Sequence, residues 1–266
     1  MIVLRKMSDE EFDFFRSVVY DETGIKLSDH KRALLESRVI RRLRTLRIDD
    51  YDQYRKYLTT NYNNELTEFI NVVTTNKTEF FREKNHFSFM LNHALPQWRE
   101  EEEIRIWSAG CSTGEEAYSI AITVCEYFGA SAAGKVKILA TDIDTQVLSK
   151  GISGTYSSQS VEVIAAPIRH KYFNATNDGY VPVDQIKGMI SFRRLNLMDA
   201  YPMKRKFKII FCRNVVIYFD KETQRELFAR IYDYLDDDGY LFIGHSENLS
   251  GVSDKFRNLG HTIYAR

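Results

Sequence analysis

The chain has 266 residues, 44% of them hydrophobic and 28% charged, which is enough to bury a core in one large domain with a small one beside it. Its 37 Lys and Arg cancel its 37 Asp and Glu, so there is no bulk electrostatic attraction for nucleic acid, although a local patch can still act. We find no run of about eighteen apolar residues and no basic, apolar leader, so we expect neither a membrane span nor a signal peptide, and a cytoplasmic protein.

The first segment opens with Ser8-Asp9-Glu10-Glu11, a capping box in which Ser8 accepts from first-turn amides and Glu11 reaches back. A helix is predicted from there, carrying Phe12, Phe15 and Val19 on one face and stopping at Gly24. The stretch from about Ser28 to Arg47 repeats Leu35, Val39, Leu43 and Leu46 along a second helix, with Arg38, Arg41 and Arg44 off that stripe. Between Lys31 and Arg47 it holds Lys31, Arg32, Arg38, Arg41, Arg42, Arg44 and Arg47 against a single acid, Glu36. A solvated helix face is the plain explanation; no aromatic residues interleave with the arginines to stack bases, which disfavours nucleic acid. Tyr51, Tyr54 and Leu58 mark a third helix, and Leu66, Phe69, Ile70 and Val73 a fourth, giving a small bundle up to residue 74.

From Ile104 to Glu116 the sequence reads I-R-I-W-S-A-G-C-S-T-G-E-E, an apolar strand that breaks into a small-residue turn and opens a helix. Gly110 and Gly114 can take backbone angles closed to other residues, and free amides at the helix start attract negative charge. A second apolar strand, Val136 to Thr141, ends in Asp142 and Asp144. Asp142 is placed either to accept from both hydroxyls of a ribose, as in dinucleotide folds, or to cap a helix. The turn lacks Gly-x-Gly-x-x-Gly and no Gly-Lys-Ser/Thr follows, so S-adenosylmethionine, which has a ribose and no phosphates, fits best. Further strands are expected at Phe207 to Cys212, Tyr240 to Gly244 and His261 to Ala265, with helices such as Glu115 to Phe128 and Lys221 to Leu235 between them. The expected fold is therefore a doubly wound α/β domain after a small all-α bundle. Between Tyr172 and Arg194 the pattern shifts to short β-like runs around Asn177-Asp178-Gly179, a hairpin signal. Cys111, Cys125 and Cys212 are odd in number and lack metal-type spacing, so they are read as structural thiols in a reducing compartment, with no zinc.

Asn76-Lys77-Thr78-Glu79-Phe80-Phe81-Arg82-Glu83, Ser108 to Glu116, Ala140-Thr141-Asp142-Ile143-Asp144, Ile210 to Asp220 and Gly244-His245-Ser246-Glu247-Asn248 resemble, in that order, the chemotaxis receptor methyltransferases, the CheR family. The resemblance implies a helical N-terminal docking domain over residues 1–74 and a methyltransferase domain over 75–266, with a β-subdomain insert at about 172–194. It implies S-adenosyl-L-methionine as cofactor, with S-adenosyl-L-homocysteine as product, contacted by Asn76, Thr78, Arg82, Gly110, Glu116, Asp142, Asn196, Leu197, Arg213 and Asn214. Arg82 is suited to pair with a carboxylate, either the cofactor's or the substrate's, and Tyr218 matches the family tyrosine near the transferring methyl, so both are the candidate catalytic residues. Arg38, Arg41 and Arg44 would face glutamate-rich receptor helices. His245 reads as a histidine bonded at a strand end rather than a catalytic one.

A glutamate with a pKa of about 4.3 is already an anion at neutral pH and needs no general base to attack a sulfonium methyl. Positioning carries the rate, and the chain shows no nucleophile elbow and no metal cluster. The implied function is therefore methyl transfer to receptor glutamates during sensory adaptation, by a monomer that is recruited to receptor clusters at the inner face of the membrane without inserting into it. The alternatives are a methyltransferase of this fold acting on a small molecule or nucleic acid, and a cofactor-binding adaptor with no catalysis. Some members of the family grip a receptor's C-terminal peptide through a Gly-x-Gly-type turn of the β-subdomain; the compact insert here, with Asn177-Asp178-Gly179 at its turn, departs from that pattern, so direct docking through the N-terminal domain is expected to carry more of the recognition.

Overall fold

The computed structural model describes residues 5–266. Helices α1 (Asp9–Thr23), α2 (Arg32–Leu46), α3 (Tyr51–Thr60) and α4 (Tyr62–Val73) come first. The capping box forms: Ser8 Oγ accepts from the Glu11 amide at 3.2 Å, and Glu11 Oε2 accepts from the Ser8 amide at 2.8 Å. Gly24 closes α1 in the left-handed region, at φ 71°. Phe12, Phe15, Val39, Leu43, Leu58 and Phe69 are buried together between the helices. At full burial each contributes roughly 1.5 to 3 kcal/mol. The bundle also closes around a buried acid, Glu65, which accepts from Arg42 Nε at 2.8 Å, Arg42 Nη2 at 2.7 Å and the Tyr54 hydroxyl at 2.7 Å. Part of the basic excess of α2 is thus structural.

A linker, residues 74–83, leads to α5 (Lys84–Phe89), which winds more widely through Met90–Ala94 into α6 (Leu95–Gln97). Pro96 has no N–H to donate to the preceding turn, and the local rewinding accommodates it. Then follow β1 (Ile104–Ala109), α7 (Glu115–Phe128), α8 (Ala132–Lys135), β2 (Val136–Asp142), α9 (Thr145–Ser153), α10 (Ser158–Val161), α11 (Ala166–Tyr172), β3 (Phe173–Thr176), β4 (Gly179–Pro182), α12 (Asp184–Lys187) and β5 (Ile190–Arg194). The chain ends with β6 (Phe207–Cys212), α13 (Lys221–Tyr234), β7 (Leu235–Ile243), β8 (Arg257–Asn258) and β9 (Ile263–Ala265).

The main sheet has the order β5-β2-β1-β6-β7-β9-β8. β5 to β7 run parallel, while β9 lies antiparallel to both β7 and β8. Alternate strand residues feed two cores: Ile106, Ile209 and Phe211 enter one layer, Trp107, Ile210 and Cys212 the other. Strands buried on both faces need near-continuous apolar runs, which is why they stood out in the sequence. The chain moves outward from β1 to β2 and β5, then crosses back to the far side of β1 for β6. This reversal opens a crevice at the carboxyl ends of β1, β2 and β6.

Three expectations are corrected. The insert is smaller than Tyr172–Arg194: its hairpin ends at Pro182, and Ile190–Arg194 belongs to the main sheet, where Phe192 pairs with Ala140 of β2. An edge strand is half exposed, so its alternating pattern reads like a hairpin strand. β7 begins at Leu235 rather than Tyr240, across a break in register with β6. β9 begins at Ile263, because His261 and Thr262 sit at φ 52° and 58° and cannot extend the strand. The hairpin itself is anchored: Tyr156 and Tyr180 exchange backbone bonds of 2.9 and 2.8 Å, and a Cβ at Gly179 would come within 2.3 Å of the Tyr156 carbonyl oxygen. Among the described residues, no helix is long and apolar enough to cross a membrane.

Candidate active site

The crevice is a cleft between the two domains. Its floor is the glycine turn after β1, its sides are the ends of β2 and β6, and its roof is the linker with parts of α1 and α2. Tyr20 donates to Asp220 at 2.9 Å, the Asn196 amide donates to the Glu22 carbonyl at 2.7 Å, and the Lys26 amide donates to the Tyr218 carbonyl at 2.8 Å. These bonds hold the bundle against the mouth of the sheet.

Gly110 sits at φ 85°, and a Cβ there would come 2.5 Å from Val215 Cγ2. The amides of Gly110 and Cys111 donate to the Thr141 carbonyl at 2.8 and 2.9 Å, tying the turn to β2. Gly110 thus makes room for the Val215 side chain, which follows β6. Cys111, Cys125 and Cys212 are all free and buried.

Asp142 faces the cleft from the end of β2. One carboxylate oxygen accepts from the Ser112 amide at 2.8 Å and the other from the Asp144 amide at 3.0 Å. Burial pushes this carboxyl up to about 6, against the pull of those two amides. A carboxylate has about four acceptor positions, so two remain for a ligand. The helix cap, the competing assignment for Asp142, belongs to its neighbour: Asp144 Oδ1 accepts from the amides of Gln146 and Val147 at 2.8 and 3.2 Å and starts α9. Asp144 Oδ2 takes Thr74 Oγ1 at 2.8 Å and Asn76 Nδ2 at 2.7 Å, fastening the linker to the sheet.

Glu116 and Arg213 form a buried pair, with Arg213 Nε 2.8 Å from Glu116 Oε2 and Ser108 donating to Glu116 Oε1 at 2.6 Å. Arg213 Nη1 also donates to the Arg82 carbonyl at 2.6 Å and to His86 Nδ1 at 3.0 Å. His86 is then the tautomer that carries its proton on Nε2 and donates it to the His261 carbonyl at 2.9 Å. Burial, reinforced by the Arg213 charge, lowers its pKa to about 4. Glu83, His86 and His245 bring ligand-type atoms within 4.8 Å of one another. The guanidinium of Arg213 occupies the lone pair of His86 Nδ1, so the cluster is an ion-pair and hydrogen-bond network rather than a metal centre. His245 is half exposed, and its backbone amide donates to Glu83 Oε1 at 3.0 Å.

All ten residues expected at the cofactor, and Tyr218, line this one cleft. Besides Glu116 and Asp142, three more use their side chains on the protein. The Arg213 guanidinium is only 2% exposed. Asn76 is bonded to Asp144 through its amide nitrogen. Asn196 uses both ends of its side chain, donating to Glu22 and accepting from the Met198 amide at 3.0 Å. Arg82 is freer: its guanidinium donates to the Lys77 carbonyl at 3.1 Å and has no carboxylate partner among the described residues. Of the docking trio, Arg41 and Arg44 are exposed, whereas Arg38 is half buried in the roof of the cleft and donates to the Val73 carbonyl and, at 2.8 Å, to Thr75 Oγ1. Asp144 and Glu247 carry structure around the cleft that no motif letter assigned to them; the only signal was their place inside the matched blocks.

The family models for the CheR methyltransferase all-alpha domain and the CheR methyltransferase SAM binding domain match residues 10–74 and 76–265. The chain belongs to the CheR methyltransferase family. It is 42% identical over 265 residues to the chemotaxis protein methyltransferase of Salmonella typhimurium, covering 97% of this chain and 91% of that one. The chemotaxis protein methyltransferase of Escherichia coli is likewise 42% identical over the same shares, and that of Borreliella burgdorferi is 41% identical over 92% of this chain and 90% of its own. The residues present fit such a cofactor: Asp142 keeps acceptor positions free for hydroxyl donors, and the Arg82 guanidinium has no carboxylate partner among the described residues.

Proposed function

We propose that the protein transfers a methyl group from S-adenosylmethionine to glutamate side chains of chemoreceptors, forming glutamyl methyl esters. The observation that carries this reading is one cleft that gathers the family's ligand positions and opens directly beneath the basic helix α2. Bound there, the cofactor supplies a sulfonium methyl that is open to attack by an anion. Asp142 takes the ribose hydroxyls, and Glu116 is held in place by Arg213 and Ser108. Arg82 pairs with a carboxylate and Tyr218 stands at the point of transfer. The incoming glutamate is already ionised, so these residues orient it and exclude water instead of moving protons.

Receptor helices rich in glutamate meet Arg41 and Arg44, and steering of that kind acts mainly on encounter rate and specificity. Arg38 serves the linker and the cleft roof instead. The protein works as a monomer at receptor clusters, residues 1–74 doing the docking and 75–266 the chemistry. Labelled cofactor, purified protein and receptor-containing membranes test the reading: base-labile methanol released from labelled receptor supports it, and transfer only to a small molecule or nucleic acid, or cofactor binding with no transfer, refutes it.

A further inference from the structure

The segment Arg213–Tyr218 joins β6 to α13 and supplies Arg213, Asn214, Val215 and Tyr218 to the cleft. Arg213–Val215 are irregular, with Asn214 in the left-handed region at φ 58°, and Val216–Tyr218 form a single 3-10 turn. The segment's backbone amides converge on one side chain from outside the cleft. Glu247 Oε2 accepts from the Asn214 amide at 2.9 Å and the Gly244 amide at 2.5 Å, and Oε1 accepts from the amides of Val216 at 3.0 Å and Ile217 at 3.2 Å. Glu247 is 6% exposed and has no Lys or Arg partner among the described residues. Burying this carboxylate is costly, and the four amides that converge on it are what offset the cost. Gly244 makes the junction possible, since a Cβ there would come within 2.4 Å of Asn214 Nδ2 and 2.8 Å of Glu247 Oε2. The carbonyl side of the loop is fastened separately: Gln224 Nε2 donates to Val216 at 2.9 Å and to Phe219 at 3.0 Å.

We propose that Glu247 is a positioning residue for methyl transfer, its carboxylate fixing the loop in the shape that presents Asn214 and Tyr218 to the cleft. A carboxylate accepts only, which matches four converging donors. Glutamine has the same shape, but its amide nitrogen would face N–H groups, so the loop would lose its acceptors on one side. The inference rests on the reading of the cleft as the cofactor site.

The test compares Glu247→Gln with Glu65→Gln, which removes a buried carboxylate from the helical bundle. Binding of S-adenosylhomocysteine by the wild type, followed calorimetrically, checks the cofactor reading by itself. Given that binding, Glu247→Gln should lower kcat by about 10- to 100-fold, since small misplacements of reacting groups cost that much. It should leave KM for receptor unchanged and speed amide exchange at Asn214, Val216 and Ile217. Glu65→Gln should lower thermal stability without these changes. Wild-type kcat in folded Glu247→Gln overturns the proposal. If that variant does not fold, Gln224→Ala loosens the same loop from its other side: a lowered kcat supports the proposal and an unchanged one overturns it.

Discussion

Asp142 carries a carboxyl that burial pushes up to about 6, while an unfolded Asp titrates near 3.9. The folded apo-protein therefore holds this proton more tightly than the unfolded chain, and Asp142 costs stability as pH rises from about 4 to about 6. Ribose hydroxyls donate best to the ionised form, so S-adenosylhomocysteine affinity should rise between about pH 5 and pH 7 and then level off, a profile that calorimetry across a pH series would read. Asp142→Ala should flatten that profile and weaken binding by about 1.5 to 3 kcal/mol, the range for a lost hydrogen bond to a charged group. His86 works in the opposite sense. Its pKa of about 4 lies below the unfolded value near 6.5, so its contribution is full above about 6.5 and is lost as pH falls toward 4. The two groups oppose each other between about pH 4 and 6, so the readout is a difference: in urea unfolding, the stability that His86→Asn loses relative to the wild type should grow as pH rises from about 4 to about 6.5. At Arg82, replacement by Ala should depress methyl transfer and replacement by Lys should not restore it, because an ammonium lacks the planar fork; full activity in the lysine variant would show that charge alone suffices.

At the level of elements, α2 divides its cations by task. Arg42 is locked to Glu65, Arg38 ties to the linker, and Arg41 and Arg44 face solvent. Reversing Arg41 and Arg44 to Glu should slow receptor methylation at low salt and leave cofactor affinity intact. Raising the salt should bring the wild type toward the variant, since exposed charges are screened over about 8 Å at physiological ionic strength. Arg38→Ala should behave differently, weakening cofactor affinity as the cleft roof loosens. Methylation rates across a salt series, paired with calorimetry, separate the two. The helical stripe of α2 was legible because apolar spacing is local. Which arginine meets an acid or a carbonyl from another helix was not, because those partners lie 23 and 35 residues away. The β3–β4 hairpin is short and packs against Tyr156, so deleting a receptor's C-terminal tail should change methylation little. A tail-dependent rate would return the docking role to the hairpin.

The whole molecule is two domains clamped across one cleft. Asn71 of α4 donates to Thr145 Oγ1 at 2.9 Å and accepts from the Thr145 amide at 3.0 Å, and Asp144 binds the linker while capping α9. Asp144→Ala should lower stability by about 1 to 2 kcal/mol from the lost cap and weaken S-adenosylhomocysteine binding as the linker comes away. Thermal melts with and without ligand would check both effects; a stability loss with unchanged affinity would show that the linker holds its place without this clamp.

The sequence by itself determined the bundle, the order of strands and helices and the glycine turn, because periodicity, caps and turn chemistry act over a few residues at a time; most of the residues that line the cleft came only through the family resemblance. It also carried the family, through blocks whose spacing survives along the chain. Tertiary structure decided how those residues are used. Asp142 and Asp144 differ only in which neighbours surround them, yet one faces the cleft and the other caps a helix and holds the linker. Arg213 and Arg82 look alike as letters, and only the fold buries the first against Glu116 while leaving the second without a carboxylate partner among the described residues. Such assignments depend on desolvation and on partners far away in the chain, and these exist only once the sheet has closed against the bundle.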